Sequence, residues 1–111
     1  MLVSLHHEGS VTILKPSGPL LAGELEELEK QLQELARSWT GRVLLNLADV
    51  PFIDSAGLEL VCRNHQVFAG NGLSLKLSNL TELTRKIFEI TRLSRRFEIY
   101  PDSTAAVRSF L

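Results

Sequence analysis

The spacing of apolar and polar positions changes period several times along the chain, and each change marks an element. Leu2, Val3 and Leu5 form a first short β-rich run, and Val11–Lys15 a second. Glu8-Gly9-Ser10 between them is hairpin chemistry. Pro16-Ser17-Gly18-Pro19 is expected to end the second strand, because two prolines remove ladder donors. Residues 24–38 switch to helical spacing, with Leu25, Leu28, Leu32, Leu35, Ala36 and Trp39 tracing one face and Gly41 closing the helix. Val43–Leu47 is an apolar run broken only by Asn46, which reads as a buried central strand. Pro51 stops ladder pairing there.

From Ser55 the helical period returns through Leu58, Val61, Cys62, His65 and Phe68 or Ala69, until Gly70-Asn71-Gly72 caps it. Leu73–Leu77 alternates strictly and reads as a strand. Asn79-Leu80-Thr81-Glu82 has the form of a capping box for a helix reaching about Ile90, with Leu83, Ile87 and Ile90 facing inward. Phe97–Tyr100 is a short strand ended by Pro101. Asp102 or Ser103 then caps a last helix with Val107, Phe110 and Leu111 as its apolar stripe.

The resulting order, β-β-α-β-α-β-α-β-α, predicts a single α/β domain spanning residues 1–111, whose sheet is parallel after the opening hairpin. In such sheets functional groups gather at the carboxyl ends of strands. Asp54 and Ser55 stand at such an end.

Composition narrows the class without changing this picture. A chain of 111 residues, 44% hydrophobic and 23% charged, is an ordinary globular domain. A single cysteine, Cys62, permits no internal disulfide and fits a reducing, cytoplasmic setting. The amino-terminal residues lack the basic and apolar regions of a signal peptide, and no apolar run is long enough for membrane insertion. Net charge is −1 and the isoelectric point near 6.3, which argues against a nucleic-acid partner. The first half of the chain is acidic and the second basic, a dipolar surface suited to protein partners.

Catalytic chemistry finds little footing. Ser55 lacks a Gly-x-Ser-x-Gly setting, and His65 would lie about 15 Å away along the same helix. No phosphate-binding glycine loop is present. His6 and His7 are adjacent, so a strand points them to opposite faces, and no metal-ligand spacing is recognisable. Cys62 falls on an apolar helix face as a small buried hydrophobe. Arg85, Lys86, Arg92, Arg95 and Arg96 form a basic cluster that reads as a solvated face or a protein contact. The expectation is a protein without enzymatic activity, cofactor or metal.

Ser55 has two readings. As a serine at a helix start it is an N-cap worth about 1 kcal/mol. As a phosphoacceptor it would gain about −1.5 to −2 charges. The free amides of a helix N-terminus tolerate an anion, so the fold would persist while the surface changed. Asp54 and Glu59 would make the local field still more negative. Ala56 and Gly57 are small enough to let a partner's backbone approach.

Phe52-Ile53-Asp54-Ser55-Ala56-Gly57-Leu58, following Val43-Leu44-Leu45-Asn46-Leu47-Ala48-Asp49, resembles the phosphorylation-site segment of STAS domains, and more narrowly of bacterial anti-sigma-factor antagonists. Ser17–Leu20 and the stretch from Leu83 to Leu93 extend the resemblance over nearly the whole chain. It implies a small mixed sheet of four to five strands, with about four helices packed mainly on one face. It also implies a non-catalytic partner switch in transcription regulation. Members bind an anti-sigma factor, often a serine kinase, and release its sigma factor. Phosphorylation of the serine matching Ser55 turns binding off, and a PP2C-type phosphatase restores it. The partner-binding surface implied here is Asp54, Ser55, Ala56, Gly57, Leu58 and Glu59. The alternative within the same fold is an unphosphorylated STAS scaffold or an accessory subunit of a membrane transport complex. Two positions depart from the pattern. Leu21 replaces a common acidic residue, and Ala56 replaces a common Ser or Thr, leaving Ser55 as the one hydroxyl at the tip.

Overall fold

A computed structural model describes all residues, Met1–Leu111. The hairpin forms as expected, from β1 (Leu2–Glu8) and β2 (Val11–Ser17). Gly9 takes φ +59° at the first of the two turn positions, which suits the twist of the flanking strands. The second strand runs further than the prolines suggested. Pro16 stays in register opposite Val3, beyond the stretch of β2 that pairs with the next strand, so its missing donor costs little.

Helix α1 (Glu26–Arg37) buries Leu28, Leu32 and Ala36, with acidic residues in its first turn. Trp39 does not complete this face. It takes φ +57° and is 67% exposed. The amides of Trp39 and Thr40 bond back to the carbonyls of Ala36 and Leu35, so the helix ends in a Schellman turn two residues before Gly41.

Strand β3 (Arg42–Asn46) is followed by α2 (Ser55–Gly70), β4 (Ser74–Ser78), α3 (Glu82–Ile90), a short 3₁₀ turn (Leu93–Arg95), β5 (Ile99–Tyr100) and α4 (Ser103–Ser109). The spatial order is β1-β2-β3-β4-β5, antiparallel between β1 and β2 and parallel thereafter. Val43–Leu47 is buried throughout, as a central strand covered on both faces requires.

Alternation along the strands divides the core. Leu14, Val43, Leu45, Leu75 and Leu77 meet Leu28 and Leu32 of α1, Leu60, Val61 and Phe68 of α2, and Phe88 of α3. On the opposite face Val11, Ile13 and Leu44 pack with Ala106 of α4. Three helices thus cover one face and the fourth returns to the other.

Two helices depart from their expected details. Asn79 does not cap α3: it takes φ +60° and its amide bonds to the Tyr100 carbonyl. Thr81 is the cap, and the later start turns Thr84 and Phe88 inward. Ile87 is half-buried as expected, whereas Leu83 and Ile90 face solvent. In α4, Asp102 is the cap, its Oδ1 accepting the Ala105 amide at 2.8 Å. Ala106 provides the buried contact there, while Leu111 is exposed. The last strand is two residues long, with Phe97 just before it buried in the core.

Candidate functional site

The segment from Leu47 to Asp54 leaves the carboxyl end of β3 and crosses the rim of the sheet. Asn46 starts the turn by accepting the Ala48 amide on Oδ1 at 3.0 Å. The rim is then stitched to the segment after β2. Gly18 donates to the Asp49 carbonyl, Leu20 donates to that of Phe52, and Asp54 donates to that of Leu20. An isolated parallel bridge joins Leu20 to Ile53. Asp54 and Ser55 are thereby held between two chain segments far apart in sequence.

Asp54, and not Ser55, caps α2. Its Oδ1 accepts the Gly57 amide at 2.9 Å, and its Oδ2 accepts the Ala22 amide at 2.9 Å. These amides, Ala22 foremost and then Gly57, hold the carboxyl below its ordinary value. Asp54 is therefore an ionised staple between the β2–α1 segment and the first turn of α2.

Ser55 becomes the first helical residue. It is exposed, and its hydroxyl makes no hydrogen bond within the chain. The amides of Ser55 and Ala56 have no backbone carbonyl partner, as expected of a first helical turn. Ala56 is half-buried and Glu59 exposed, while Leu58 is half-buried against the core.

Gly57 has a different task from the one its size suggested. It is buried, and a Cβ there would lie 2.5 Å from the Leu20 carbonyl oxygen, 2.7 Å from Ile53 Cγ1 and 2.9 Å from Leu20 Cβ. The backbone that approaches Gly57 is the chain's own, so this residue offers no surface to a partner. Sequence reasoning also missed Leu20 and Ala22, which fix the corner through main-chain groups. The glycine in a helical first turn was the available signal for such an approach.

The surface around Ser55 is mixed. Pro51 and Phe52 are exposed beside it. Lys15 Nζ lies 3.7 Å from Asp49 Oδ2 on the same rim, an exposed pair of small energetic weight. Thr81 closes the neighbouring side by donating its hydroxyl to the Val50 carbonyl at 3.3 Å.

The other polar candidates are not part of this corner. His65 packs against Phe97 with ring centroids 4.5 Å apart and planes tilted by 58°, and burial followed by the charge of Arg96 pushes its pKa down, against the opposing pull of Glu98. Burial pushes the half-buried Cys62 thiol up, with Arg96 opposing. Hydroxyl and imidazole therefore do not meet. His6 and His7 sit on β1, where His7 Nδ1 is 3.1 Å from Thr12 Oγ1. Arg85, Lys86, Arg92, Arg95 and Arg96 are exposed along α3 and the turn after it. No helix is long and apolar enough to cross a membrane.

Comparison with known proteins agrees with this fold. A family model described as the STAS domain matches residues 3–106. The chain is 32% identical over 92 residues to the anti-sigma-B factor antagonist of Bacillus subtilis (strain 168), covering 83% of this chain and 77% of that protein. A Thermotoga maritima protein, described as a proposed anti-sigma factor antagonist, superposes with a TM-score of 0.90 at 22% identity, over 96% of this chain and 92% of its own. The Bacillus cell fate determinant SpoIIAA, in its phosphorylated form, superposes with a TM-score of 0.77 at 16% identity, over 99% and 100% of the two chains. The chain belongs to the STAS domain family, on its anti-sigma-factor-antagonist branch.

Proposed function

We propose that the chain is a protein-binding switch that engages an anti-sigma factor of the serine-kinase type and is turned off by phosphorylation of Ser55. The observation that carries this reading is the division of labour at the start of α2. Asp54 does all the capping, which leaves the Ser55 hydroxyl exposed and without internal work. The name of the 32% identical relative supports an anti-sigma factor as partner, and its serine-kinase type comes from the resemblance of the Ser55 segment.

The physics of the switch is local. A phosphate adds about −1.5 to −2 charges at neutral pH. The first-turn amides of Ser55 and Ala56, which bond to no backbone carbonyl, stabilise it from the protein side. The neighbouring Asp54 carboxylate prevents full neutralisation, and Glu59 adds to the negative field. The fold is retained and the docking surface becomes strongly anionic. A partner seated on Phe52, Ser55, Ala56 and the exposed flank of Leu58 and Glu59 would have to desolvate that charge, and it dissociates. A PP2C-type phosphatase resets the surface. Ala56 leaves no second hydroxyl beside Ser55.

The test is incubation with the cognate kinase and ATP, followed by phosphosite mapping by mass spectrometry. Phosphate on Ser55 alone, absent in Ser55→Ala, is expected. Phosphate at other positions with Ser55 unmodified contradicts the proposal. A scaffold or transporter-subunit role would instead leave partner association indifferent to Ser55→Asp.

A further inference from the structure

The two edges of the sheet are treated differently. The β5 edge is two residues long and ends at Pro101, a short and blunted edge. The β1 edge is seven residues long, with no proline or lysine. Its register with β2 is continuous and one-to-one from Leu2↔Ser17 to Glu8↔Val11, so no bulge twists it away. Leu2 is 80% exposed and Leu5 45% exposed on this strand. Such an edge is a template for another strand.

Which strand fits follows from parity. The hairpin closes at Glu8↔Val11 around two turn residues, so that pair is of the hydrogen-bonded kind. Leu2, Ser4, His6 and Glu8 therefore spend their backbone groups on β2. Val3, Leu5 and His7 turn N–H and C=O outward, and none of the three bonds to a loop or turn. An antiparallel strand added here must offer outward groups at the same alternate positions. A second β1 does so in the register centred on Leu5, which overlaps all seven residues. Leu5 then faces Leu5 of the second copy, Val3 faces its His7, Ser4 its His6 and Leu2 its Glu8. A shift of one residue breaks the parity. Glu8 is the only carboxylate of β1, and in this register the two copies of it lie at opposite ends, roughly 20 Å apart at about 3.3 Å per residue.

We propose that β1 is a self-pairing edge through which two copies of this chain form a two-fold dimer with one continuous sheet. The axis stands perpendicular to the sheet at Leu5, so α1, α2 and α3 of both copies lie on the same face. Leu5 projects to that face beside Leu14 of the core, and its counterpart covers the half that is exposed. Ser55 starts α2 on the rim reached by the Leu47–Asp54 segment, off the β1 strand itself. The dimer thus leaves both Ser55 corners free, and the inference does not depend on Ser55 phosphorylation.

The test is cross-linking in a Cys62→Ser background together with sedimentation velocity on the full chain. Hydrogen-bonded partners across an antiparallel pair have Cα atoms about 5.5 Å apart, within disulfide range. Leu5→Cys is expected to give a covalent dimer under mild oxidation, and Leu2→Cys, about 20 Å from its counterpart, is not. In sedimentation, wild type is expected to shift from monomer to dimer between micromolar and millimolar concentration. Leu5→Lys, which places two ammonium groups across the axis, is expected to weaken that association at least tenfold with an unchanged circular dichroism spectrum. A wild-type chain that stays monomeric throughout overturns the proposal, as does equal cross-linking by both cysteine variants. Capture of a different protein's strand by an otherwise monomeric chain overturns it as well.

Discussion

Helices α2 and α3 begin at the carboxyl ends of neighbouring parallel strands, and each start carries a hydroxyl residue. At α3 the hydroxyl is consumed. Thr81 Oγ1 accepts the Thr84 amide at 3.3 Å, donates to the Val50 carbonyl and lies 3.0 Å from Thr84 Oγ1. At α2 a carboxylate has taken the capping position, and the hydroxyl one residue later is idle. A hydroxyl that donates to a carbonyl as well as capping, as Thr81 does to Val50, cannot be modified without losing that donor. One that follows a carboxylate cap can be. The difference between Thr81 and Ser55 is therefore the difference between a fixed joint and an available acceptor.

The largest expected effect tests the mount under Ser55. Gly57→Ala drives a methyl group into Leu20 and Ile53, two buried residues whose backbone is tied to the same corner. Urea denaturation is expected to show a loss of about 2–3 kcal/mol, as overpacking of a close contact does. A loss under half a kcal/mol would mean that the rim yields easily and does not hold Ser55 in place.

Next comes the fixed joint. Thr81→Ala removes a cap and is expected to cost about 1 kcal/mol, whereas Ser55→Ala is expected to stay within about 0.5 kcal/mol of wild type. Equal costs in matched melts would erase the contrast between the two helix starts.

A smaller effect is expected from Asp54→Asn, because asparagine still accepts the Gly57 amide and loses only the acceptor for Ala22. Its signature is in the pH dependence. The Asp54 pKa is lowered in the folded state from an ordinary value of 3.8. Its stabilisation is therefore complete well above pH 3.8 and is lost as pH falls through the lower folded-state value. Wild type should exceed Asp54→Asn in stability by a constant margin near neutrality, and the margin should shrink in acid. A margin that grows in acid would contradict the staple role.

The smallest effect belongs to Ser55→Asp, which places an anion at a helix N-terminus and is expected to change the melting temperature hardly at all. A fall of several degrees would mean that added charge disturbs the fold and not only the surface.

Much of this contrast was legible in the chain, and some of it was not. Val43–Leu47 announced itself as the central strand because a strand covered on both faces has no room for alternation. Ser55 was locatable because Pro51 and the return of helical spacing bracket it. The cap was harder to see, because Asp and Ser are comparable N-caps and adjacent. What decides between them is the Ala22 amide, which comes from 32 residues earlier in the chain. Asn79 and Glu82 satisfied the local pattern of a capping box. The Asn79 amide instead continues the pairing toward Tyr100, and the helix starts two residues later on a rotated face. Trp39 followed the helical period to a position where the helix had already ended. At Asp54 and Asn79 a contact from a distant segment overrode a pattern read along the chain, and at Trp39 a local Schellman turn did.

Ser55 is the single group proposed to decide partner binding. Isothermal titration of the cognate anti-sigma-factor kinase with unphosphorylated protein, with protein carrying phosphoserine at position 55, and with Ser55→Ala tests it most directly. The phosphorylated form is expected to bind at least about 100-fold more weakly, a difference near 2.7 kcal/mol. Ser55→Ala should bind like wild type, and all three proteins should melt at nearly the same temperature. Equal affinity of the phosphorylated and unphosphorylated forms would contradict it.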